Sequence, residues 1–136
     1  MNMEKIEVTA TLANLDVMID FAVCCAAKQC FDKEALSEIR LASEEALVNV
    51  AKYAYPDKEG TVTIACAPAK EGGIVIEISD AGVPFDPLTL KEPDISLPIE
   101  RRTIGGLGIF MIRRIMTRVE YRRENGRNIL TLTKIK

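Results

Sequence analysis

Hydrophobic and polar positions along the chain repeat with two periods, one typical of helices and one of strands. Apolar residues recur every three or four positions from Asn14 to Phe31, which predicts an amphipathic helix with Asn14 as its N-cap. A second helix is predicted from the capping residue Asp32 to about Tyr53, where Pro56 follows. The main apolar stripe of this second helix comprises Leu36, Ile39, Leu47 and Val50.

The remaining ordered segments alternate with period two and predict five strands. MEKIEVTA near the start alternates Ile6 and Val8 with charges, as a half-exposed strand does. TVTIACAPAK and GGIVIEISD, joined by a turn at residues 70–73, predict an antiparallel hairpin. The segment VEYRRENGRNILTLTK predicts a second hairpin around the turn Asn125-Gly126. A short third helix precedes it, with apolar positions at Ile109, Phe110, Ile112, Ile115 and Met116.

This order of elements predicts the fold class. Strands segregated from helices indicate an α+β protein, a two-layer sandwich with the helices on one face of a mixed, mostly antiparallel sheet. The length of 136 residues fits a single domain over residues 1–136. Residues 81–103 contain four prolines and no sustained periodicity, and a connection of that length inside a compact domain is usually functional. We therefore expect a lid around residues 84–104.

The charge balance and the absence of histidine limit the kinds of partner and mechanism that we expect. Eighteen basic and twenty acidic residues give a net charge of −2, so we expect neither direct nucleic-acid binding nor a membrane partner. The chain has no histidine, which leaves no histidine phosphoacceptor or Ser-His-Asp triad within it. No apolar run reaches the length of a membrane span and no signal peptide is visible, so a cytoplasmic location is expected.

The four cysteines form neither a CxxC pair nor a zinc-binding pattern. We interpret Cys24, Cys25, Cys30 and Cys66 as reduced, buried side chains of a cytosolic protein. The alternative is a redox switch at the adjacent Cys24 and Cys25.

Three short motifs carry candidate chemistry. The first is GGLGIF, which begins at Gly105 and joins the predicted lid to the third helix. Glycines at a helix start let phosphate oxygens approach the free N–H groups and the positive end of the helix dipole, although a flexible hinge has the same composition. Neither the P-loop pattern nor the dinucleotide pattern GxGxxG is present.

The other two motifs precede it. Asp80 ends the most apolar strand, where it can accept a hydrogen bond from an exocyclic amine, and Gly82 leaves room for a flat ring; the alternative is a simple turn. Glu45 and Asn49 lie one helical turn apart, so a Mg²⁺-binding amide oxygen and a general base would share one side of the helix. Alone, such a pair is also common as surface decoration.

Taken in order, these motifs resemble those of a known family. EALVN (Glu45 to Asn49), DAGVPFDP (Asp80 to Pro87) and GGLGIFMIRRIM (from Gly105) resemble the N, G1 and G2 boxes of the GHKL ATPase fold. DNA gyrase, MutL and sensor histidine kinases share this fold. The similarity is closer to its bacterial branch of anti-sigma factor serine/threonine kinases and extends from about Ile6 to Lys134.

The resemblance implies a role for each matching residue. Asn49 would hold the Mg²⁺ that bridges the ATP phosphates, and Asp80 would bind the adenine amine, with Gly82 lining the base pocket. The backbone at the helix start would cradle the α- and β-phosphates; its residues are Gly105, Gly106, Leu107 and Gly108. Arg102, or its neighbour Arg101, would reach the γ-phosphate or the partner.

The resemblance also implies an activity and its partners. Glu45 would be the base that deprotonates a serine or threonine hydroxyl on an anti-anti-sigma protein with a STAS domain. The protein would also sequester a sigma factor, and the exposed first strand, from Glu4 to Thr9, offers an edge for a homodimer. Tyr53 departs from the family, which often has histidine there, and this affects base stacking or lid packing.

Alternative functions remain open at this point. One is an ATP-sensing binding module of the same fold, in which nucleotide closes the lid without phosphoryl transfer. Others are a histidine-kinase-like fragment that works in trans and an α+β domain without a nucleotide.

Overall fold

The computed structural model describes residues 3–89 and 106–136, without the side chains of residues 89 and 106–108. Within these ranges the strands and helices follow the predicted order. They are β1 Glu4–Thr9, α1 Leu15–Ala27, α2 Lys33–Tyr53, β2 Thr61–Pro68, β3 Gly73–Asp80, α3 Gly106–Ile115, β4 Arg118–Glu124 and β5 Arg127–Ile135. Short 3-10 turns occupy Leu12–Asn14 and Pro87–Thr89.

The five strands form one sheet in the order β1-β2-β3-β5-β4. Every pairing among the described strands is antiparallel. The predicted α+β class, with helices on one face of a mostly antiparallel sheet, is therefore confirmed. The turn between β4 and β5 has positive φ at both Asn125 and Gly126 (53° and 76°), as the sequence Asn-Gly predicts for a tight hairpin.

Cross-strand rows show how alternation builds the core. Ile6, Ile64 and Ile78 occupy successive positions across β1, β2 and β3, and Leu130 and Tyr121 continue the same row on β5 and β4. Because side chains in one row point to the same face, this row lies under the helices. The polar pair Asp80 and Asn128 occupies the next core-facing row, so the site described below is built into the sheet itself.

The helices pack side by side, with α2 between α1 and α3. Asp32 caps α2 as predicted, because its Oδ1 accepts a hydrogen bond from Ala35 N at 2.8 Å. Asn14 precedes α1 as expected, but its side chain does not cap the helix; Asn14 Nδ2 instead donates to Thr9 O at 2.9 Å. No described helix is long and apolar enough to cross a membrane.

The first helix is shorter than predicted. It ends at Ala27, and residues 28–30 form a turn in which Cys30 has a positive φ of 62°. The prediction that all four cysteines are buried is wrong for two of them, because Cys24 and Cys30 are exposed whereas Cys25 and Cys66 are buried. Adjacent helix positions point about 100° apart, so Cys24 and Cys25 cannot both face the sheet.

Candidate functional site

A pocket opens between α2, α3 and one end of the central strands. Its polar lining residues are Asn49 of α2, Asp80 of β3, Tyr121 of β4 and Asn128 of β5. Its apolar walls include Ile78, Ile112, Leu130 and Phe85. The structure thus brings together Asn49 and Asp80, two of the residues singled out from sequence, although 31 positions separate them in the chain.

The cavity itself is small. Its volume is about 40 Å³, which is space for about three water molecules. Phe85 contributes to this closure, because it lines the pocket and stacks on Tyr53 with ring centroids 5.9 Å apart and an interplanar angle of 23°. A purine base therefore requires displacement of side chains that border the pocket, such as the Phe85 ring. Tyr53, at the end of α2, thus contacts the segment that follows Asp80.

Asp80 is fixed by neutral donors. The residue is only 4% exposed, and its Oδ1 accepts hydrogen bonds from Gly82 N at 2.8 Å and from Asn128 Nδ2 at 2.9 Å. No lysine or arginine in residues 3–89 and 106–136 forms an ion pair with it. A buried carboxylate that is held this way can accept a further hydrogen bond from a ligand amine.

Asn128 was not singled out from the sequence, although it is the most connected side chain of the site. Its amide bonds Asp80, Val83, Phe85 and Tyr121. The sequence does contain an indication of its role. Asn128 lies two and four positions before the buried Leu130 and Leu132, so it faces the same side of the strand as they do. A polar residue at a core-facing strand position requires partners, and this rule identifies it.

Glu45 and Asn49 lie on the pocket side of α2. Both are partly buried, and Asn49 lines the pocket while Glu45 lies one turn earlier along the helix. Neither side chain has a hydrogen bond or ion pair to the described part of the chain. An amide oxygen and a carboxylate at this place are hard donors that fit a hydrated Mg²⁺ and a proton acceptor, respectively.

A metal ion at this place would depend on more than the protein. Among the described residues, no cluster of three or more cysteine, aspartate or glutamate side chains is placed to hold a metal. Mg²⁺ usually keeps several waters and binds substrate phosphates through one or two protein oxygens, so Asn49 alone is compatible with it.

Gly82 is required by close packing of the backbone. A Cβ atom at this position would lie 2.1 Å from Ala54 O, and Val83 N donates to the same oxygen at 2.8 Å. Gly82 lines an adjoining depression together with Tyr55 and Arg123, and Arg123 Nη1 donates to Gly82 O at 2.8 Å. Contact between Gly82 and a base stays a prediction.

The glycine motif begins α3. The helix starts at Gly106 and includes Leu107 and Gly108, so the free N–H groups of its first turn belong to these residues. Ile112, one turn after Gly108, lines the pocket and is completely buried. Arg101, Arg102 and Gly105, like residues 90–104 of the predicted lid, lie outside the described residues.

Comparison with known proteins identifies the family of the chain. The model of the histidine kinase-like ATPase domain family matches residues 8–134. The chain is also 29% identical over 104 residues to proteins named serine-protein kinase RsbW from Bacillus mycoides, Bacillus cereus and Bacillus thuringiensis. These matches cover 74% of this chain and 64% of each relative, so the chain spans less than two thirds of their length. Because the family model covers nearly all of its residues, the chain belongs to the histidine kinase-like ATPase domain family.

Proposed function

We propose that this protein is an ATP-dependent protein serine/threonine kinase that acts as a cytoplasmic anti-sigma factor. The observation that carries the proposal is the shared pocket of Asn49 and Asp80, with Glu45 one turn away on α2. A carboxylate for a base amine, an amide for a hydrated cation and a proton acceptor are three of the groups that such a reaction uses.

Each residue then has a defined task. Asp80 accepts the adenine amine, Asn49 holds Mg²⁺, and the free N–H groups at Gly106 and Gly108 bind phosphate oxygens. A Mg²⁺ ion held by Asn49 would supply positive charge next to the transferred phosphoryl group. Glu45 accepts the proton of a serine or threonine hydroxyl, whose oxygen attacks the γ-phosphorus as ADP leaves.

Other assigned positions complete the phosphate side. We place Gly105 and the Leu107 backbone in the same cradle, and Arg102 at the γ-phosphate or the bound partner. Residues around 84–104 act as a lid over the nucleotide, in a single domain that extends over residues 1–136. Gly82 completes the base side of the site by keeping the backbone after Asp80 close to α2.

The partners follow from the same branch of the family. The acceptor is an anti-anti-sigma protein with a STAS domain, and the second partner is a sigma factor; the relatives' name, serine-protein kinase, supports the serine acceptor. Two copies of the chain pair along β1. Support for this dimer comes from the sheet order, which leaves β1 at an edge with an exposed or partly exposed side chain at every position.

One observation favours a second candidate, an ATP-sensing module without phosphoryl transfer. The 40 Å³ cavity requires displacement of bordering side chains such as the Phe85 ring before a base can enter. Such a movement couples nucleotide binding to the shape of the surface near the lid, which is what a sensor requires. The two candidates differ only in whether phosphate reaches the partner.

Matched carboxylate variants separate these candidates. We would titrate the purified chain with ATP, with and without MgCl₂, and measure label transfer from γ-labelled ATP to a STAS-domain anti-anti-sigma protein. Glu45→Gln should reduce transfer by about 10²- to 10⁴-fold, the usual contribution of a general base, while ATP binding persists. The exposed neighbour Glu44 supplies the control, because Glu44→Gln should transfer label like the wild type.

A third variant tests the nucleotide site. Asp80→Asn should weaken ATP binding by about 10- to 100-fold, because the base amine loses a charged acceptor. Equal ATP affinity in wild type and Asp80→Asn would refute the nucleotide site. ATP binding without any transfer to the STAS protein would favour the sensing module, and transfer that survives Glu45→Gln would refute the assigned base.

A further inference from the structure

The Asn128 amide uses its full hydrogen-bonding capacity within the protein. Its Nδ2 donates to Asp80 Oδ1 at 2.9 Å and to Val83 O at 2.8 Å. Its Oδ1 accepts from Phe85 N at 3.2 Å and bonds the Tyr121 hydroxyl at 2.6 Å. An amide has two N–H donors and two acceptor sites, so nothing is left over for a ligand.

The orientation of this amide is unambiguous. A backbone carbonyl only accepts and a backbone N–H only donates, so the Val83 and Phe85 contacts require nitrogen on one side and oxygen on the other. A flipped amide would place two donors against Phe85 N and an acceptor against Val83 O. The N–H that faces Asp80 is therefore fixed by the segment that follows Asp80 in the chain.

This N–H selects which oxygen of Asp80 is occupied. Oδ1 accepts from both Gly82 N and Asn128 Nδ2, whereas no donor in the described part of the chain bonds Oδ2. Asp80 and Asn128 are 4% and 6% exposed, so their hydrogen bond is shielded from water and stronger than the same bond in solvent. Because no lysine or arginine of the described residues pairs with Asp80, these two neutral donors determine how its carboxylate is oriented.

We propose that Asn128 is a positioning residue for base selection, which acts through Asp80 without touching the nucleotide. By occupying Oδ1, it leaves Oδ2 as the acceptor for an exocyclic amine, and by bonding Val83 and Phe85 it holds the pocket wall in register with that oxygen. Preference for a purine with a 6-amino group thus depends on Asn128. This inference rests on the proposed nucleotide site.

The test compares two nucleotides. ATP and purine riboside triphosphate, which lacks the 6-amino group, are titrated against the full-length protein and against Asn128→Asp. The substitution keeps the size of the side chain and both acceptor contacts but removes the two donated hydrogen bonds. Wild type should prefer ATP by about 10- to 100-fold, the usual range for a hydrogen bond to a charged group. In Asn128→Asp this preference should fall to within about threefold of unity, while the triphosphate still binds.

Two further variants keep the inference falsifiable. Asn128→Leu, which introduces no second carboxylate, should lose the preference as well. Thermal melts are recorded to check that both variants are folded at the assay temperature. Arg123→Met is the matched control, because Arg123 also tethers this segment, through Gly82 O, without a hydrogen bond to Asp80, and it should keep the preference.

The outcomes are distinguishable. A wild type that binds both nucleotides equally overturns the adenine site and this inference with it. A wild-type preference that persists in folded Asn128→Asp and Asn128→Leu overturns the role of Asn128 alone. Equal loss in Arg123→Met also overturns it, because the effect would then belong to the segment as a whole.

Discussion

Replacing Ser43 tests how much a buried hydroxyl without a hydrogen bond destabilises the core. Ser43 lies on the buried side of α2 with 0% of its surface exposed, and its Oγ has no hydrogen-bond partner in the described part of the chain. Burial of an unpaired hydroxyl costs about 1–3 kcal/mol of folding free energy. Removal of the single oxygen atom loses fewer packing contacts than this cost represents. We therefore expect Ser43→Ala to stabilise the protein.

An exposed serine on the same helix supplies the reference. Ser37→Ala gains only the better helix propensity of alanine, about 0.5 kcal/mol, and Ser43→Ala gains the same amount plus relief of the buried hydroxyl. We expect Ser43→Ala to exceed Ser37→Ala by about 1 kcal/mol. With an unfolding entropy of about 2.1 cal/mol/K per residue over 136 residues, this difference corresponds to about 3.5 °C in Tm.

The measurement is a pair of calorimetric melts against wild type, with urea titrations to confirm that the m-value is unchanged. Ser43→Ala that melts at or below Ser37→Ala would show that the hydroxyl is compensated. Burial of the Ser43 hydroxyl would then not destabilise the protein.

Three other changes test separate parts of the structure. Gly82→Ala should destabilise by about 2–3 kcal/mol in urea titrations, because its Cβ would lie 2.1 Å from the immovable Ala54 O; wild-type stability would contradict this contact. Phe85→Ala should cost about 1–2 kcal/mol, less than a fully buried ring, and an unchanged urea midpoint would show that its stacking contributes nothing. Burial raises the pKa of the Cys25 thiol, so its reactive thiolate forms only at higher pH than usual. Iodoacetamide near pH 8 should therefore label Cys24 before Cys25 in mass spectra, and equal labelling would contradict this assignment.

Part of the candidate site could be predicted from the sequence because its signals are local. Asp80 ends an apolar strand, and Glu45 and Asn49 are one turn apart on a helix whose cap, Asp32, is also visible in the sequence. Spacing of this kind depends only on the period of the element that carries the residues. The glycine motif likewise predicted the start of α3, which begins at Gly106.

Other parts of the site depend on contacts that no local pattern records. Asn128 reaches Asp80 across 48 positions because β5 inserts next to β3 instead of lying at the sheet edge. The stack of Tyr53 on Phe85 likewise requires the end of α2 to lie against the segment after β3. From the sequence, Gly82 looks like an ordinary turn residue. Only the structure shows that the Ala54 carbonyl oxygen lies too close to Gly82 for a Cβ atom to fit.

Local patterns in the sequence are enough to predict the order of the helices and strands, the α+β class and the residues available for chemistry, because periodicity and turn-forming residues act over a few positions. Packing in three dimensions sets which oxygen of Asp80 is occupied, how little space the pocket leaves and which of two adjacent cysteines is buried. These properties follow from strand order and helix packing. Both depend on the free energy of burying the apolar surface of all segments together, which cannot be predicted from any single segment.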